Sequence, residues 1–540
     1  MTGMPGPLVW ILALVFAVST HHGTSGPQTA RTATRAQRGA SSAAPAQLIE
    51  ELTKLLDAGQ LAPAKARADE ALRRFPEDAP LLNIAGAIDA QQGAYRSAER
   101  HFRAAILADR RIAAAYLNLG RLYQEHAKED PQAPSKALAV YRQLLEVDPT
   151  DSEALFQAAY MSACTGEWNA SRALLDRLPA PARSRPQVLA LFAVDFVGLG
   201  DRPRADHMAT ELLTHPDLAD EDVRAAIPAL DRLKDDSLAE RLFTGLDARN
   251  LASAESLRQL ALVESRRGRF DRARATLERA MVLAGKPTVT VLLDLAQVAY
   301  KEKDFTGALG YLAHARDLDP QNPQVHFFFG IACIELNLGN EAYEALKKAV
   351  TLAPENAYVN YAMGAVAIHR HESSEALPYF EKYVRLKPDD PRGRFALGAA
   401  RFYSNEFDSA RTELEQAARH PETAAGAHYF LARISRQLNE LDTARREIGR
   451  SLQADPNYPD ALAELGLLQT RSGEYEAAER SLTKALASDP ENYAATVNLA
   501  ALYARTRDPR REAQAARLAD LQQKRAVAAQ EFLRMIQVVQ

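Results

Sequence analysis

One segment of the chain brings histidines and carboxylates close enough to suggest metal chemistry, HRHESSE at residues 369–375. It contains His369, His371, Glu372 and Glu375. A zinc-protease motif of the form H-E-x-x-H needs a histidine where Glu375 follows His371, so the motif is incomplete. The segment also falls on a predicted turn between two helices, which is a poor place for a rigid ligand set. We therefore predict no metal site.

The sequence offers no other pattern that points to catalysis. It has no glycine-rich phosphate loop and no G-x-S-x-G segment, and no motif surrounds Cys164 or Cys333. These two cysteines are expected to stay unpaired, because they lie in distant repeats and a disulfide requires α-carbons within about 7 Å. We predict that the chain is not an enzyme and holds no cofactor.

Composition describes a helix-rich chain without a strong charge bias. Its 540 residues are 47% hydrophobic and 25% charged, and 66 Lys and Arg against 70 Asp and Glu give a formal net charge of −4. That balance argues against a chain built to bind nucleic acid or to coat anionic lipid. Any contact driven by charge is expected to be local.

The first residues differ from the rest of the chain. Residues 8–18 form an uninterrupted apolar run of eleven, too short for a membrane span and typical of a signal peptide over residues 1–19. Arginines follow the run and none precedes it, so an uncleaved anchor stays an alternative. Residues 20–45 are predicted to be a flexible linker. The expected location is the periplasm or the extracellular space, with membrane contact only through such an anchor.

From about residue 46 onward the chain is organised by an internal period of 34 residues. Three columns of residues repeat at that interval. Prolines occupy one column, alanines the second and the smallest side chains the third: Pro320, Pro354, Pro388, Pro456 and Pro490; Ala308, Ala342, Ala376, Ala410, Ala444 and Ala478; Ala296, Gly330, Gly364, Gly398, Ala432, Gly466 and Ala500.

These columns have a common physical explanation. Between them, apolar residues recur at spacings of three and four, which predicts two helices in each repeat. Small residues are needed where two helix axes approach to roughly 8 to 10 Å. Proline cannot continue a helix, so each proline marks where a second helix ends. Each repeat is therefore predicted to be helix, turn, helix.

The pattern resembles the tetratricopeptide repeat, with a large residue, Leu-Gly and an aromatic on the first helix, then Ala and Pro. The resemblance implies an all-α solenoid of about 13 or 14 helix-turn-helix repeats. Residues 46–250 are assigned to repeats that are partly degenerate, and residues 251–508 to regular ones. A C-terminal capping helix is expected over residues 509–540.

The resemblance also implies a groove lined by the first helices, which holds peptides or partner proteins. Helix geometry places one stripe of the first helices on that groove. The stripe contains two aromatic or apolar rows, each of which spans four consecutive repeats: Phe327, Tyr361, Phe395 and Tyr429, and Tyr300, Ile334, Ile368 and Phe402. These side chains either form a trough for a partner or pack neighbouring first helices together, and the sequence leaves both possibilities open.

Further along, arginines replace the aromatics in the groove stripe, at Arg433, Arg436, Arg471 and Arg505. They either bind carboxylates or phosphates of an acidic partner or form a solvated face with intramolecular partners such as Glu464. The Lys and Asn clamp by which chaperone-binding members of the family hold a terminal carboxylate is not expected, since aromatics and Ile occupy those positions.

The sequence thus predicts a non-catalytic scaffold or adaptor that binds protein or peptide partners in its groove outside the cytoplasm. The alternative is a regulatory subunit that recruits a separate enzyme, such as a glycosyltransferase or a protease.

Overall fold

The computed structural model describes residues 35–126, 130–336, 338–370 and 372–523, excluding the side chains of 35–44 and 369. Throughout these ranges the regular structure is α-helical and no strand is present, which confirms the all-α prediction. The chain divides into two compact units between Arg269 and Phe270. None of the helices in the described ranges combines the length and apolar character that a membrane crossing requires.

Unit 1 contains fifteen helices within the described residues. In chain order they are α1 (Arg35–Asp57), α2 (Leu61–Arg74), α3 (Ala79–Gln91), α4 (Tyr95–Ala108), α5 (Ala113–Glu125), α6 (Ala133–Val147), α7 (Ser152–Thr165), α8 (Trp168–Leu175), α9 (Ala180–Arg183), α10 (Pro186–Gly198), α11 (Arg202–Thr214), α12 (Asp220–Arg224), α13 (Ile227–Leu233), α14 (Asp236–Ala248) and α15 (Ala254–Arg266).

The irregular part of unit 1 coincides with the sequence that was predicted to be degenerate. Between residues 152 and 250 the second helix α8 has only eight residues, and the short helices α9 and α12 are inserted between pairs. The predicted signal peptide over residues 1–19 lies outside the described residues. The predicted linker over residues 20–45 ends within α1, which begins at Arg35.

Unit 2 is more regular. In chain order its helices are α16 (Phe270–Leu283), α17 (Val289–Lys301), α18 (Phe305–Leu318), α19 (Pro323–Glu335), α20 (Gly339–Leu352), α21 (Ala357–His369), α22 (Ser373–Leu386), α23 (Pro391–Tyr403), α24 (Phe407–Ala417), α25 (Pro421–Gln437), α26 (Leu441–Ala454), α27 (Pro459–Arg471), α28 (Tyr475–Ser488) and α29 (Tyr493–Thr506). The predicted cap is helical over 511–523, and the remainder lies outside the described residues.

In unit 2 the odd-numbered helices from α17 to α29 are the first helices of the repeats, and the even-numbered helices are the second. Each first helix packs on the second helix that follows it, and each second helix packs on the next first helix. With the inserted helices α9 and α12 left out and the helix at residues 511–523 included, the described helices make fourteen consecutive pairs along the chain. This number lies within the predicted range.

Proline and a capping side chain together set the repeat boundaries. Helix α18 ends at Leu318, two residues before Pro320, and the side chain of Asn322 then accepts hydrogen bonds from the first amides of α19. Asn356 caps α21 in the same way. The period is broken once, where Pro421 begins α25 early and α24 is shortened to eleven residues. The proline expected at position 422 is thus found one residue earlier, and the repeat boundary moves with it.

The column of small residues marks where the two helices of a repeat touch. A β-carbon added to Gly330 would lie 2.5 Å from Cγ of Leu346 on the paired helix, and one added to Gly364 would lie 2.8 Å from the ring of Phe380. Real β-carbons do not approach other atoms so closely. The alanines of the second column are buried beside these contacts. Glycine in the column thus allows the close helix approach that the sequence predicted.

Candidate partner-binding face of unit 2

The predicted ladder residues Phe327, Tyr361, Phe395 and Tyr429 lie on the four successive first helices α19, α21, α23 and α25. All four side chains are half-buried. First helices of neighbouring repeats also pack directly on one another. The ladder is therefore neither a fully exposed row of rings nor a closed core.

The rings of the ladder contact other aromatic residues within unit 2. The Tyr361 ring lies 5.5 Å from that of Phe380 and 5.0 Å from that of Tyr383, both on the second helix of its own repeat. The Phe395 ring lies 5.8 Å from that of Phe430 in the next repeat. Phe395 thus packs on a neighbouring first helix, which was one of the two possibilities left open, whereas Tyr361 packs on the second helix of its own repeat. Both side chains remain half-buried.

The second predicted row behaves less uniformly. Ile334 and Ile368 are half-buried, whereas Phe402 is only 4% exposed and belongs to the core. The hydroxyl of Tyr300 donates a hydrogen bond of 2.6 Å to Glu335 on the next first helix. Burial and this carboxylate raise the pKa of Tyr300 to about 12, so its hydroxyl stays protonated. Phe402 supports the face from beneath and is not available to a partner.

Two tyrosines of the face were missed by the sequence argument. Tyr358 on α21 is 52% exposed and Tyr403 on α23 is 46% exposed, more than any ladder residue. Both lie within the same first helices as the ladder, three residues before Tyr361 and one after Phe402. A window that included helix ends would have found them. We call Tyr358, Tyr361, Phe395, Tyr403 and Tyr429 the aromatic face.

A polar network lies beside the aromatic face. Asp390, which caps α23, accepts a hydrogen bond of 2.6 Å from the hydroxyl of Tyr383 and pairs with Arg392. The Arg392 guanidinium and the Tyr383 hydroxyl hold the pKa of Asp390 well below its usual range. Because its carboxylate is already satisfied by these two neighbours, Asp390 is committed to orienting them.

The four predicted arginines have different surroundings. Arg436 pairs with Glu464 on α27, as the intramolecular alternative proposed, and both side chains are largely buried. Arg433 lies among aromatic rings of α23 and α25. Arg471 is exposed, and the guanidinium of Arg505 lies 5.9 Å from the ring centre of Tyr475. Of these four arginines, Arg436 alone pairs with a carboxylate among the residues that the structure describes.

The candidate metal segment at residues 369–375 is described only in part, since His371 and the side chain of His369 lie outside the described residues. Glu372 pairs with Arg370, and Glu375 accepts a hydrogen bond from the hydroxyl of Tyr343. No group of three metal-ligating side chains occurs among the side chains that the structure describes. Cys164 and Cys333 are free thiols, and burial raises the pKa of each to about 12.

Parts of the chain match models of a known sequence family. Three family models, each described as tetratricopeptide repeat, match residues 258–323 and 395–459, residues 299–366, and residues 461–492. The chain contains multiple tetratricopeptide repeats. The matched segments include all five residues of the aromatic face, and they end short of the degenerate helices of unit 1. No curated protein sequence matches the chain.

Several solved structures are similar to the chain in fold. The Cut9–Hcn1 hetero-tetramer of APC/C is 14% identical over 83% of this chain and 94% of that chain, with a TM-score of 0.39. Yeast Tom70 is 17% identical over 81% and 98%, with a TM-score of 0.35. PilF of Pseudomonas aeruginosa is 23% identical over 38% and 94%, with a TM-score of 0.34. At these identities the similarity concerns the fold alone.

Proposed function

We propose that the chain is a non-catalytic scaffold whose tetratricopeptide repeats bind a partner protein or peptide on the aromatic face of unit 2. The observation that carries this proposal is the exposure of Tyr358 and Tyr403 beside three half-buried rings on consecutive first helices. Large aromatic side chains that cluster at a surface usually mark an interaction site. Tetratricopeptide repeats are in general protein-binding modules, in agreement with this face.

Packing supports the same conclusion. On α21, α23 and α25 the rings of the aromatic face keep accessible area, whereas the small residues of the glycine column lie against the second helices. A partner segment laid across these helices would bury the remaining ring surface of several repeats at once. Each buried ring contributes to affinity, because aromatic residues dominate the energetics of interfaces.

The experiment is crosslinking and affinity purification of the full chain from its native host, comparing the natural sequence with the double variant Tyr361→Ala and Phe395→Ala. The expected result is loss of the crosslinked partner in the variant. A matched control replaces Leu107 and Val282 by Ala, since both are highly exposed apolar residues at the ends of second helices. Equal recovery of the partner by all three proteins would refute the assignment of the face.

The partner also distinguishes an adaptor from a regulatory subunit. An enzyme recovered in a one-to-one ratio would favour the regulatory role, and envelope structural proteins would favour the adaptor. We further infer that the chain acts outside the cytoplasm, from the apolar run at residues 8–18 alone. Mass spectrometry of the mature N-terminus tests this inference, and a retained, unanchored leader would overturn it.

A further inference from the structure

Arg433 occupies an unusual position on the aromatic face. Its guanidinium carbon lies 4.5 Å from the ring centre of Phe402, 5.5 Å from Tyr429, 5.6 Å from Phe430 and 5.7 Å from Tyr403. Cations within about 6 Å of an aromatic ring centre are stabilised by the ring quadrupole. Four such rings hold the guanidinium in one place, so its charge is fixed in position on the face.

The hydrogen-bonding capacity of this guanidinium is largely unused. Its single hydrogen bond in the described part of the chain is a long one of 3.5 Å to the hydroxyl of Tyr403. None of its nitrogen atoms is both buried and unpartnered, so solvent or a ligand can reach the remaining N–H groups. Arginine carries five such donors in a planar fork that matches a carboxylate.

Arg433 also differs from nearby arginines because it has no ion-pair partner in the described part of the chain. Arg436, one turn later on α25, pairs with Glu464, and Arg401 on α23 pairs with Glu381 and Glu413. Among the described residues, no carboxylate lies within salt-bridge distance of Arg433. A charge partly removed from water and left unpaired interacts strongly with an added anion, because the local dielectric is low.

The positive charge continues along the first helices toward the C-terminus. Arg471 on α27 and Arg505 on α29 are exposed and lie 34 residues apart, at equivalent positions of consecutive repeats. The structure pairs neither of them with a described carboxylate. Glu464 on α27 pairs with Arg436, and Asp460 accepts a hydrogen bond from the neutral amide of Asn492. Arg471 and Arg505 thus remain exposed cations without an ion-pair partner in the described part of the chain.

We propose that Arg433 binds an Asp or Glu side chain in the partner segment, next to apolar residues that cover the aromatic face. This inference rests on the proposed function and specifies the chemistry of its partner. The rings select apolar neighbours, the fixed guanidinium selects the carboxylate, and Arg471 and Arg505 attract further acidic residues beyond it. The occupant is an acidic and apolar peptide segment that crosses α25 in the direction of α29.

The test uses the full chain and an unbiased probe, a phage-displayed library of random 12-residue peptides. Peptides selected on the natural chain are expected to contain Asp or Glu beside aliphatic or aromatic residues. Selection on the Arg433→Gln variant is expected to keep the apolar preference and to lose the acidic one. Arg480→Gln is the matched control, because Arg480 is exposed on the second helix α28 and its removal changes the net charge equally.

One selected peptide and its Glu-to-Gln version are then synthesised and compared by fluorescence anisotropy. The acidic peptide is expected to bind the natural chain about 10-fold or more tightly than the Gln peptide, as for a charge-assisted hydrogen-bonded pair. The two peptides are expected to bind the Arg433→Gln variant with equal affinity. Arg433→Lys keeps the charge without the planar fork and should bind with intermediate affinity. Thermal unfolding of each variant confirms that it is folded.

The outcomes separate this inference from the proposed function. Selected peptides that lack Asp and Glu but lose binding on Tyr358→Ala would overturn the acidic partner and leave the aromatic face as the binding site. An acidic preference that survives Arg433→Gln would overturn the role of Arg433. Failure to select any peptide on the natural chain would overturn both.

Discussion

Helices α10 of unit 1 and α19 of unit 2 are both first helices of their repeats, yet they are packed in different ways. In α10 nearly every residue from Val188 to Phe196 is buried, including the carboxylate of Asp195. In α19 burial is confined to one stripe that includes Gly330 and Cys333, and the remaining apolar residues are half-buried. A helix surrounded on all sides leaves no surface for a partner, whereas a helix buried along one stripe leaves a face.

The cores of the two units also differ in how far their buried clusters extend. Most buried residues of unit 1 form one connected cluster that extends from Ala87 to Val263, and smaller clusters lie in its N-terminal repeats. Several clusters of unit 2 are confined to adjacent repeats, for example the one from Ala399 to Ile434 and the one from Ala432 to Leu468. In repeat proteins, stability is close to a sum of local interfaces, and unit 2 fits that description better than unit 1.

The largest expected effect on stability comes from Asp195. The crowded packing of α10 buries its carboxyl group without a hydrogen-bond partner in the described part of the chain. Neither of its oxygens has a hydrogen-bond partner among the described residues. Burial raises the pKa of Asp195 to about 8, and nearby Ser171 and Arg172 offset only part of this shift. The folded protein thus holds a proton that the unfolded chain releases above about pH 4. Its contribution to stability is complete below that pH and is lost as the pH rises to about 8.

For unit 1 this loss amounts to at most roughly 5 kcal/mol between pH 4 and pH 8. Urea unfolding followed by fluorescence of Trp168 measures it, with Trp10 replaced by Phe so that Trp168 in unit 1 is the one remaining tryptophan. Asp195→Asn should remove most of the pH dependence, because asparagine cannot ionise. An equal pH dependence in both proteins would show that Asp195 is solvated in the folded chain.

Two leucine truncations test whether the cores differ in extent. Leu191 on α10 and Leu346 on α20 are both buried, so replacing either by Ala is expected to cost about 2 to 5 kcal/mol. Hydrogen exchange measured by mass spectrometry should then separate the two variants. Leu191→Ala should accelerate exchange throughout the connected core of unit 1, whereas Leu346→Ala should affect α19 to α21 and little else. Equally wide effects would contradict a local core in unit 2.

The sequence predicts properties that depend on residues within one repeat better than properties that depend on contacts between repeats. The helix pairs, their boundaries and the glycine contacts follow from residues within one repeat, such as Gly330 and Leu346, and were predictable from the columns. The pairing of Arg436 with Glu464 and the isolation of Arg433 depend on the geometry between repeats, which a one-dimensional pattern does not contain. The same holds for the burial of Asp195, since the degenerate region has no column that defines its packing.

A smaller effect is expected when a glycine of each unit is replaced by alanine. A β-carbon on Gly198 would lie 2.5 Å from the indole ring of Trp168, which is rigid, whereas on Gly330 it would meet the flexible Leu346 side chain at 2.5 Å. Gly198→Ala is therefore expected to cost about 1 to 3 kcal/mol. Gly330→Ala should stay within about 1 kcal/mol of the natural protein, because helix propensity gained from alanine offsets the crowding.

Chemical denaturation of both glycine variants measures this difference, and alanines at positions 296 and 432 show that the column accepts a methyl group. A loss of more than about 3 kcal/mol for Gly330→Ala would mean that Leu346 cannot move and that unit 2 is as tightly packed as unit 1.

The smallest effect on stability is expected for the exposed tyrosines. Their removal should weaken partner binding more than it weakens folding. Tyr358→Ala and Tyr403→Ala remove rings that are about half exposed, so the free energy of unfolding should change by roughly 1 kcal/mol or less. Tyr361→Ala should cost more, because its ring packs on Phe380 and Tyr383. Partner or peptide affinity, measured by anisotropy, should fall in all three variants. If only Tyr361→Ala weakened binding, in proportion to its lost stability, the rings would serve packing alone and the face would not be a binding site.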